Sequence, residues 1–418
     1  MSWCRGGVAV MGILSAQGPS ALVLFLNVAA LAALISLALV LLGRVWPRLA
    51  GQAGHLKSVQ AAHSRVTPRV GGIAIFAALC ASMSLAPCAI SERLSLFLVG
   101  AAVLFLVGLA EDLGAGISPL KRLVAAIGAS LVVVFLLGMW LPRIDIGPID
   151  SALGLWYVGV PLTLLITAGV ANGFNLIDGV NGLSAFTGLC AALALAYIAG
   201  QGGAWTLQMM ALLLAAAILG FLVLNYPFGL IFLGDAGAYT LGFVIAWFGI
   251  SLLRAIPEVS AWAVLLTVFW PVSDTMLAIY RRWRLGAGAM APNRLHVHQL
   301  VMRMLEIRFL GKGRRHISNP LTTLVLAPFV MAPPLTAVLF WGQAGLGHAG
   351  RGRVYAVVLG QLFRSLPPVR LGGAAPAAPA RFGAEPGRFG AGFGPAQMTL
   401  GRISCADSIE NCVKMSYS

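Results

Sequence analysis

Residues 172–182 read NGFNLIDGVNG, a polar stretch set between two apolar runs at 155–171 and 183–200. Each run approaches the roughly 20 mainly apolar residues that a membrane-spanning helix needs, which places the stretch at a membrane surface between two spans. Asn172, Asn175, Asp178 and Asn181 recur every three residues, so a helical or near-helical turn would line them up along one side. A hydrated turn does not need that spacing. A stripe of amides with one carboxylate packs poorly against lipid and suits a ribose, a base or metal-bound water.

Working outward, the same apolar template matches 21–42, 71–90, 94–110, 123–141, 155–171, 183–200, 205–224, 234–253, 259–280 and 320–341, ten runs in all. A weaker stretch, RVYAVVLGQLF at 353–363, is short for a span and is the candidate for an eleventh. Hydrophobic residues make up 59% of the 418 and charged residues only 10%, against roughly 25% charged in soluble domains. The expected fold is therefore an all-α, polytopic integral membrane protein with its chemistry on cytoplasmic loops, and membrane lipid is its medium.

A formal charge of +15 raises nucleic-acid binding, but the cations sit in short loops between apolar runs and form no basic domain of their own, so no nucleic-acid partner is expected. Their distribution fixes orientation instead. Connections that follow odd-numbered runs carry sixteen Lys and Arg, and those after even-numbered runs carry three, Arg93, Arg143 and Arg254. The odd connections are thus expected to be cytoplasmic. Six cysteines show no CxxC or other metal spacing and read as packing residues.

Residues 1–20 hold a short apolar patch without a convincing cleavage site and read as an N-terminal extension to a membrane domain at 21–344. From 345 to 418 the chain turns to Gly, Ala, Pro and Arg, a low-complexity composition expected to be disordered.

The acids are the most informative feature. Of ten carboxylates before residue 345, six fall on the expected cytoplasmic side: Glu111, Asp112, Asp178, Asp235, Asp274 and Glu306. An acid at the bilayer centre costs about 3 kcal/mol on insertion scales, so acids near membrane depth face a cavity, a partner or an ion. Asp112, Asp178, Asp235 and Asp274, each in or beside a polar or Gly-rich segment, suggest a shared site; pairing of each with a nearby Arg is the plainer alternative. In GLAEDLGAGISPLKR, Glu111 and Asp112 precede turn glycines and two cations, as suits a metal or a base that deprotonates phosphate. Asp235 stands between Gly234 and Gly237, where missing side chains let a phosphate or metal approach the backbone. Asp274, about two turns inside the end of its run, is the weaker candidate and reads as structural.

The long loop after the ninth run carries PNRLHVHQL, with Arg294 beside His296 and His298. His-x-His can ligate zinc, but with no cysteine or third histidine close by and nine cations in this loop, gripping a phosphate fits better. The earlier AAHSRVTPRVGG offers His63, Arg65 and Arg69 on the same side, again suited to phosphate.

On HSRVTPRVGG, AEDLGAGIS, NLIDGVNGLS, FLGDAGAY, PVSDT and NRLHVHQL, occurring in that order between about residues 55 and 345, the chain resembles the polyprenyl-phosphate N-acetylhexosamine-1-phosphate transferases (glycosyl transferase family 4). The His-x-His loop is closer to the undecaprenyl-phosphate GlcNAc-1-phosphate branch than to the phospho-MurNAc-pentapeptide translocases. The chain departs from the family pattern in three places, with Glu111 for Asp, Asn181 for a second Asp and Gln299 for a further His. Asn181 brings hydrogen bonds without charge.

The resemblance implies transfer of a GlcNAc-1-phosphate or related unit from a UDP-N-acetylamino sugar to undecaprenyl (polyprenyl) phosphate, releasing UMP and starting a lipid-linked envelope glycan at the bacterial inner membrane. It implies Mg²⁺, with Mn²⁺ as an alternative, at Asp235. Asp112, supported by Glu111, would deprotonate the lipid phosphate. Asn172, Asn175 and Asp178, with Asn181, would position the nucleotide. His63 and Arg65 fit phosphate, and Arg294, His296 and His298 would hold the diphosphate. A homodimer is left open. The rival class is a secondary transporter, which also uses buried acids and broken helices but places them near the midplane of two related halves; no internal repeat is present.

Overall fold

A computed structural model of the chain describes residues 19–45, 67–284, 296–311 and 313–341. His63, Arg65, Arg294, the 353–363 stretch and the 345–418 segment lie outside the described residues. Every element among those described is helical: α1 Pro19–Val45, α2 Gly71–Leu85, α3 Cys88–Asp112, α4 Pro119–Leu137, α5 Gly147–Leu153, α6 Trp156–Ile177, α7 Leu183–Gln201, α8 Trp205–Asn225, α9 Gly234–Ala255, α10 Ala261–Thr267, α11 Phe269–Arg284, α12 Val297–Leu305 and α13 Arg315–Phe340. A π-helical turn, Glu306–Leu310, continues α12.

Eight of these helices are long and apolar enough to cross a membrane, the α10–α11 pair makes a ninth bent one, and the 15-residue α2 is a shorter apolar helix. Together they account for the ten expected runs, and the chain is a polytopic membrane protein. The all-helical solution is what a bilayer demands, because a helix satisfies its own backbone hydrogen bonds where no water is available.

Local chemistry places several helix ends where hydropathy alone does not. The fourth run begins at Pro119 rather than 123, because Pro suits the first helical position and Ser118 accepts the Lys121 N–H as a cap at 3.4 Å. It stops at Leu137 because Gly138 turns left-handed at φ 60°. The ninth run is not one straight helix: α10 and α11 meet at 81°. Pro271 lacks the N–H that would bond Thr267 and its ring crowds that carbonyl, so the helix breaks one turn earlier. Within α11 the Thr275 and Ser273 hydroxyls donate back to the Pro271 and Trp270 carbonyls at 2.7 and 3.0 Å. Helix α5 lies in the connection between the fourth and fifth runs.

Helix α9 is the central post. Its apolar window is 94% buried, against 22% for α4 on the periphery. A helix apolar on all sides belongs in the middle of a bundle, and α9 packs against α2, α3, α6 and α7. Small residues permit the approach: an added Cβ on Gly72 or Gly108 would come within 2.3–2.5 Å of the Ala236–Gly237 backbone. Trp247, Phe243, Phe248 and Phe97 fill the interior. Helix α4 presents Leu120, Val124, Leu131 and Phe135 outward, as suits contact with lipid.

At the end of α9 away from Asp235, Arg143 donates to the Leu253, Ile256, Pro257 and Val259 carbonyls at 2.5–3.3 Å and pairs with Asp145 at 3.3 Å. Asp145 in turn accepts the Ser260 hydroxyl and the Ala261 N–H at 2.6 and 2.7 Å. This staple fixes where α10 starts and so aims the broken helix.

Candidate active site

At the opposite end, α3 and α6 finish where α2, α4 and α9 begin, and three of the four expected acids, Asp112, Asp178 and Asp235, meet there, while Asp274 pairs with His296 instead. The segment before α2 is laced to the segment before α9: the Phe232 N–H donates to the Pro68 carbonyl at 2.8 Å, and the Gly71 and Gly72 N–H groups donate to the Phe232 and Leu233 carbonyls, each at 2.9 Å. Gly234 then turns at φ +74°, and any side chain there would meet the Arg69 carbonyl at 2.0 Å and the Asp112 carboxylate at 2.6 Å. Only glycine fits this corner.

Asp112, the last residue of α3, caps α9. Its two oxygens accept the Asp235 and Ala236 N–H groups at 2.8 and 2.9 Å, satisfying donors that a helix start leaves unpaired and placing negative charge at the positive end of the helix dipole. Asp235 itself is 7% exposed. It accepts a close charge-assisted hydrogen bond from Arg122, one from the Asn175 amide at 3.1 Å, and has Arg69 at 3.7 Å. Arg122 reaches it from the first turn of α4 and lies 6.0 Å from the Tyr239 ring centre. Glu111 accepts the Ile117 N–H and so closes the loop between α3 and α4.

Asp178 caps the end of α6, turning the chain out of the helix. Although part of its surface is open, protein on most sides pushes its carboxyl up to about 7; Arg69 and the Gly234 N–H pull the other way, and the Asp235 charge adds to the rise. Asp112, Asp178 and Asp235 are thus electrostatic neighbours, brought together from three helices. The expected stripe is divided by the fold. Asn172 and Asn175 remain on α6 and face α9, where the Asn172 side-chain oxygen accepts from the Tyr239 hydroxyl at 3.4 Å. Asn181 lies past the helix end and is buried.

The setting of Asn181 differs from the expected substrate contact. Its N–H donates to the Asn319 side chain at 2.7 Å, its carbonyl accepts the Thr323 hydroxyl at 2.7 Å and its amide donates to the Pro227 carbonyl at 2.9 Å. It ties the 178–182 turn to α13 and to the loop after α8. His298 also departs from expectation. It is 1% exposed with neither ring nitrogen paired, and its Nε2 occupies the space that a Cβ on Gly179 would need. Burial pulls its ring down to about 4 despite the Asp274 carboxylate, which favours the neutral imidazole. His296 stacks on it with ring centres 5.8 Å apart and contacts Asp274.

Two cations at the centre were the least visible in sequence. Arg69 stood among phosphate-binding candidates, and Arg122 was only one of two cations after a turn. Its signal is the Ser118–Pro119 helix start, which sets Arg122 one turn into α4 with its side chain directed back toward the acids.

Among the described residues no three His, Cys, Asp or Glu side chains are grouped to hold a metal on their own. Mg²⁺ does not require such a cage, since it takes one or two carboxylates and completes its shell with waters and substrate phosphates. The hard carboxylate oxygens of Asp235 fit that ion, and among the described residues no histidine or cysteine joins the cluster.

A family model described as glycosyl transferase family 4 matches residues 94–253, from α3 through α9. The chain is 29% identical over 243 residues to a probable undecaprenyl-phosphate N-acetylglucosaminyl 1-phosphate transferase of Bacillus subtilis, covering 57% of this chain and 67% of that one. It is 30% identical over 253 residues to the undecaprenyl-phosphate alpha-N-acetylglucosaminyl 1-phosphate transferase of Salmonella typhi, covering 58% and 66%. Over 284 residues it is 29% identical to the decaprenyl-phosphate N-acetylglucosaminephosphotransferase of Mycobacterium tuberculosis, covering 61% and 69%. The chain spans about two thirds of the length of these curated relatives. With Asp112, Asp178 and Asp235 now seen at one end of one bundle, these likenesses support the resemblance to glycosyl transferase family 4 and, within it, to the polyprenyl-phosphate N-acetylhexosamine-1-phosphate transferases.

Proposed function

We propose that this protein transfers an N-acetylamino-sugar 1-phosphate, GlcNAc-1-phosphate or a close relative, from a UDP-sugar to undecaprenyl phosphate, releasing UMP at the cytoplasmic face of a bacterial inner membrane. The product starts a lipid-linked envelope glycan. The observation that carries this reading is the convergence of Asp112, Asp178 and Asp235 with Arg69 and Arg122 at one end of an apolar bundle. Phosphoryl transfer between two anions asks for little covalent chemistry from a protein; it needs neutralised charge and in-line positioning. Acids interleaved with arginines at the mouth of a lipid-accessible bundle supply both, and a polyprenyl tail can remain among the helices while the nucleotide stays in water.

Residue roles follow from commitments already described. Asp112 spends both oxygens on the first turn of α9 and therefore positions Asp235, a narrower role than general base. Asp178, raised to about 7, is the acid suited to take a proton from the lipid phosphate near neutral pH. Arg69 and Arg122 face phosphate oxygens, and Asn172 and Asn175 orient Tyr239 and Asp235 beside the nucleotide. Asp235 would hold Mg²⁺, which when bound supplies charge neutralisation of the diphosphate.

The relatives' names support this substrate class, and the acids favour it over a secondary transporter because they gather at helix ends and not midway along the spans. The test is UMP release by purified protein from a panel of UDP-N-acetylamino sugars, with and without undecaprenyl phosphate. Lipid-dependent release from at least one donor is expected. Failure on every donor with active lipid acceptor present would remove the reading.

A further inference from the structure

Beyond the region matched by the family model, the break in the ninth span places one acid in an unusual position. Asp274 is 3% exposed on α11, one turn after Pro271. Its Oδ2 lies 2.7 Å from His296 Nδ1, and its Oδ1 accepts the Val297 N–H at 2.8 Å. One carboxylate therefore holds both a histidine ring and the first turn of α12. The same region of α11 abuts the nucleotide-side helix, because Gly173, between Asn172 and Asn175, faces the Pro271 carbonyl where a Cβ would stand 3.1 Å away. His298, two residues on, lies against Gly179, next to Asp178. The pair thus sits at the seam joining the loop that carries the histidines to the α6 end of the site.

We propose that Asp274 is a positioning residue for His296, fixing its ring orientation and its Nδ1–H tautomer so that Nε2 is the nitrogen directed to the nucleotide-sugar donor. This rests on the transferase reading above. A carboxylate that accepts from Nδ1 leaves Nε2 as the only ring nitrogen available to a substrate, and which nitrogen is available is set by the bond the other makes. The second bond, to Val297, prevents the carboxylate from rotating with the ring, so ring and backbone are indexed to each other. Neither contact could come from an apolar residue at 274. An asparagine there could not serve both either, since its amide offers one accepting oxygen where the site uses two.

The experiment uses the full-length protein in lipid nanodiscs with two independent readouts. In the first, Asp274→Asn, His296→Ala and the double variant are compared in UMP release, with KM measured separately for the UDP-sugar and for undecaprenyl phosphate. Asp274→Asn is expected to lose about 10- to 100-fold in kcat/KM for the UDP-sugar, by analogy with the range for partners that orient metal-bound histidines, with the KM for the lipid unchanged. In the His296→Ala background the same substitution should cost nothing further. A full additional loss there, or an equal rise in both KM values, would overturn the proposal in favour of a general packing role. In the second readout, ¹⁵N-histidine spectra of the parent, with the His296 signal assigned by difference against His296→Ala, should show Nδ1 protonated and should change in Asp274→Asn. An unchanged His296 tautomer would overturn the proposal whether or not any sugar donor is turned over, so failure of the transferase reading and failure of this one are told apart.

Discussion

Asp112 holds Asp235 by its backbone, not by its charge: the Asp112 Oδ1 accepts the Asp235 N–H at 2.8 Å across 123 residues of sequence. The cap orients α9, and α9 in turn presents the Asp235 carboxylate to Arg122, Arg69 and Asn175. Asp112→Asn keeps one accepting oxygen and loses the other, which leaves the Ala236 N–H opposite an amide. A loss of about 1 kcal/mol in stability is expected, the usual size for a helix cap, together with reduced transfer. Thermal melting of the purified variant checks this, and an unchanged midpoint with activity lost would return Asp112 to the role of a base.

Asp235→Asn should abolish transfer, by more than about 100-fold, while the protein still expresses and melts near the parent. Arg122→Ala should reduce transfer as well, because it removes the closest cation on Asp235. Near-normal UMP release by Asp235→Asn would remove this residue from the reaction and from metal binding.

Gly72→Ala and Gly108→Ala test the close approach of α2 and α3 to the start of α9. The atoms an added methyl would meet are backbone, at 2.3 and 2.5 Å, so relief requires moving a helix. Each substitution is expected to cost about 1–3 kcal/mol and to lower activity by displacing Asp235. Gly169→Ala on α6 meets nothing within 4 Å and is the control expected to melt like the parent.

Removing divalent cations with EDTA should stop UMP release, and added Mg²⁺ should restore it. Activity that persists after exhaustive chelation would leave the arginines to neutralise the diphosphate without a metal.

The Asp178 carboxyl, at about 7 in the fold against an ordinary 3.8, binds its proton more tightly folded than unfolded. The stability this confers is complete below about pH 4 and is lost as pH rises through 7. In EDTA the melting midpoint should fall across that window, and Asp178→Asn, neutral at every pH, should flatten the fall and melt several degrees above the parent at pH 8. Superimposable pH profiles for parent and variant would show that another group is responsible.

Ten apolar runs, the placement of the acids on one side and the turn at 172–182 were legible in sequence because each depends on neighbours a few residues away: hydropathy decides what can enter a bilayer, and within it only helices keep their backbone bonded. Helix ends set by Ser118, Pro119 and Gly138 were local too, though masked by apolar residues that run past them. What a short window cannot contain is a partner from another helix. The Arg122–Asp235 pair, the capping of α9 by Asp112, the diversion of Asn181 to Asn319 and Thr323, and the burial of His298 against Gly179 each join segments dozens of residues or more apart. Hydropathy and charge along the chain were enough to show that it crosses a membrane many times and carries six of its ten acids before residue 345 toward one surface. Which of those acids stand together, and which polar groups serve packing, follows from how helices pack around α9, where a missing Cβ at Gly72, Gly108 or Gly234 matters as much as any charge.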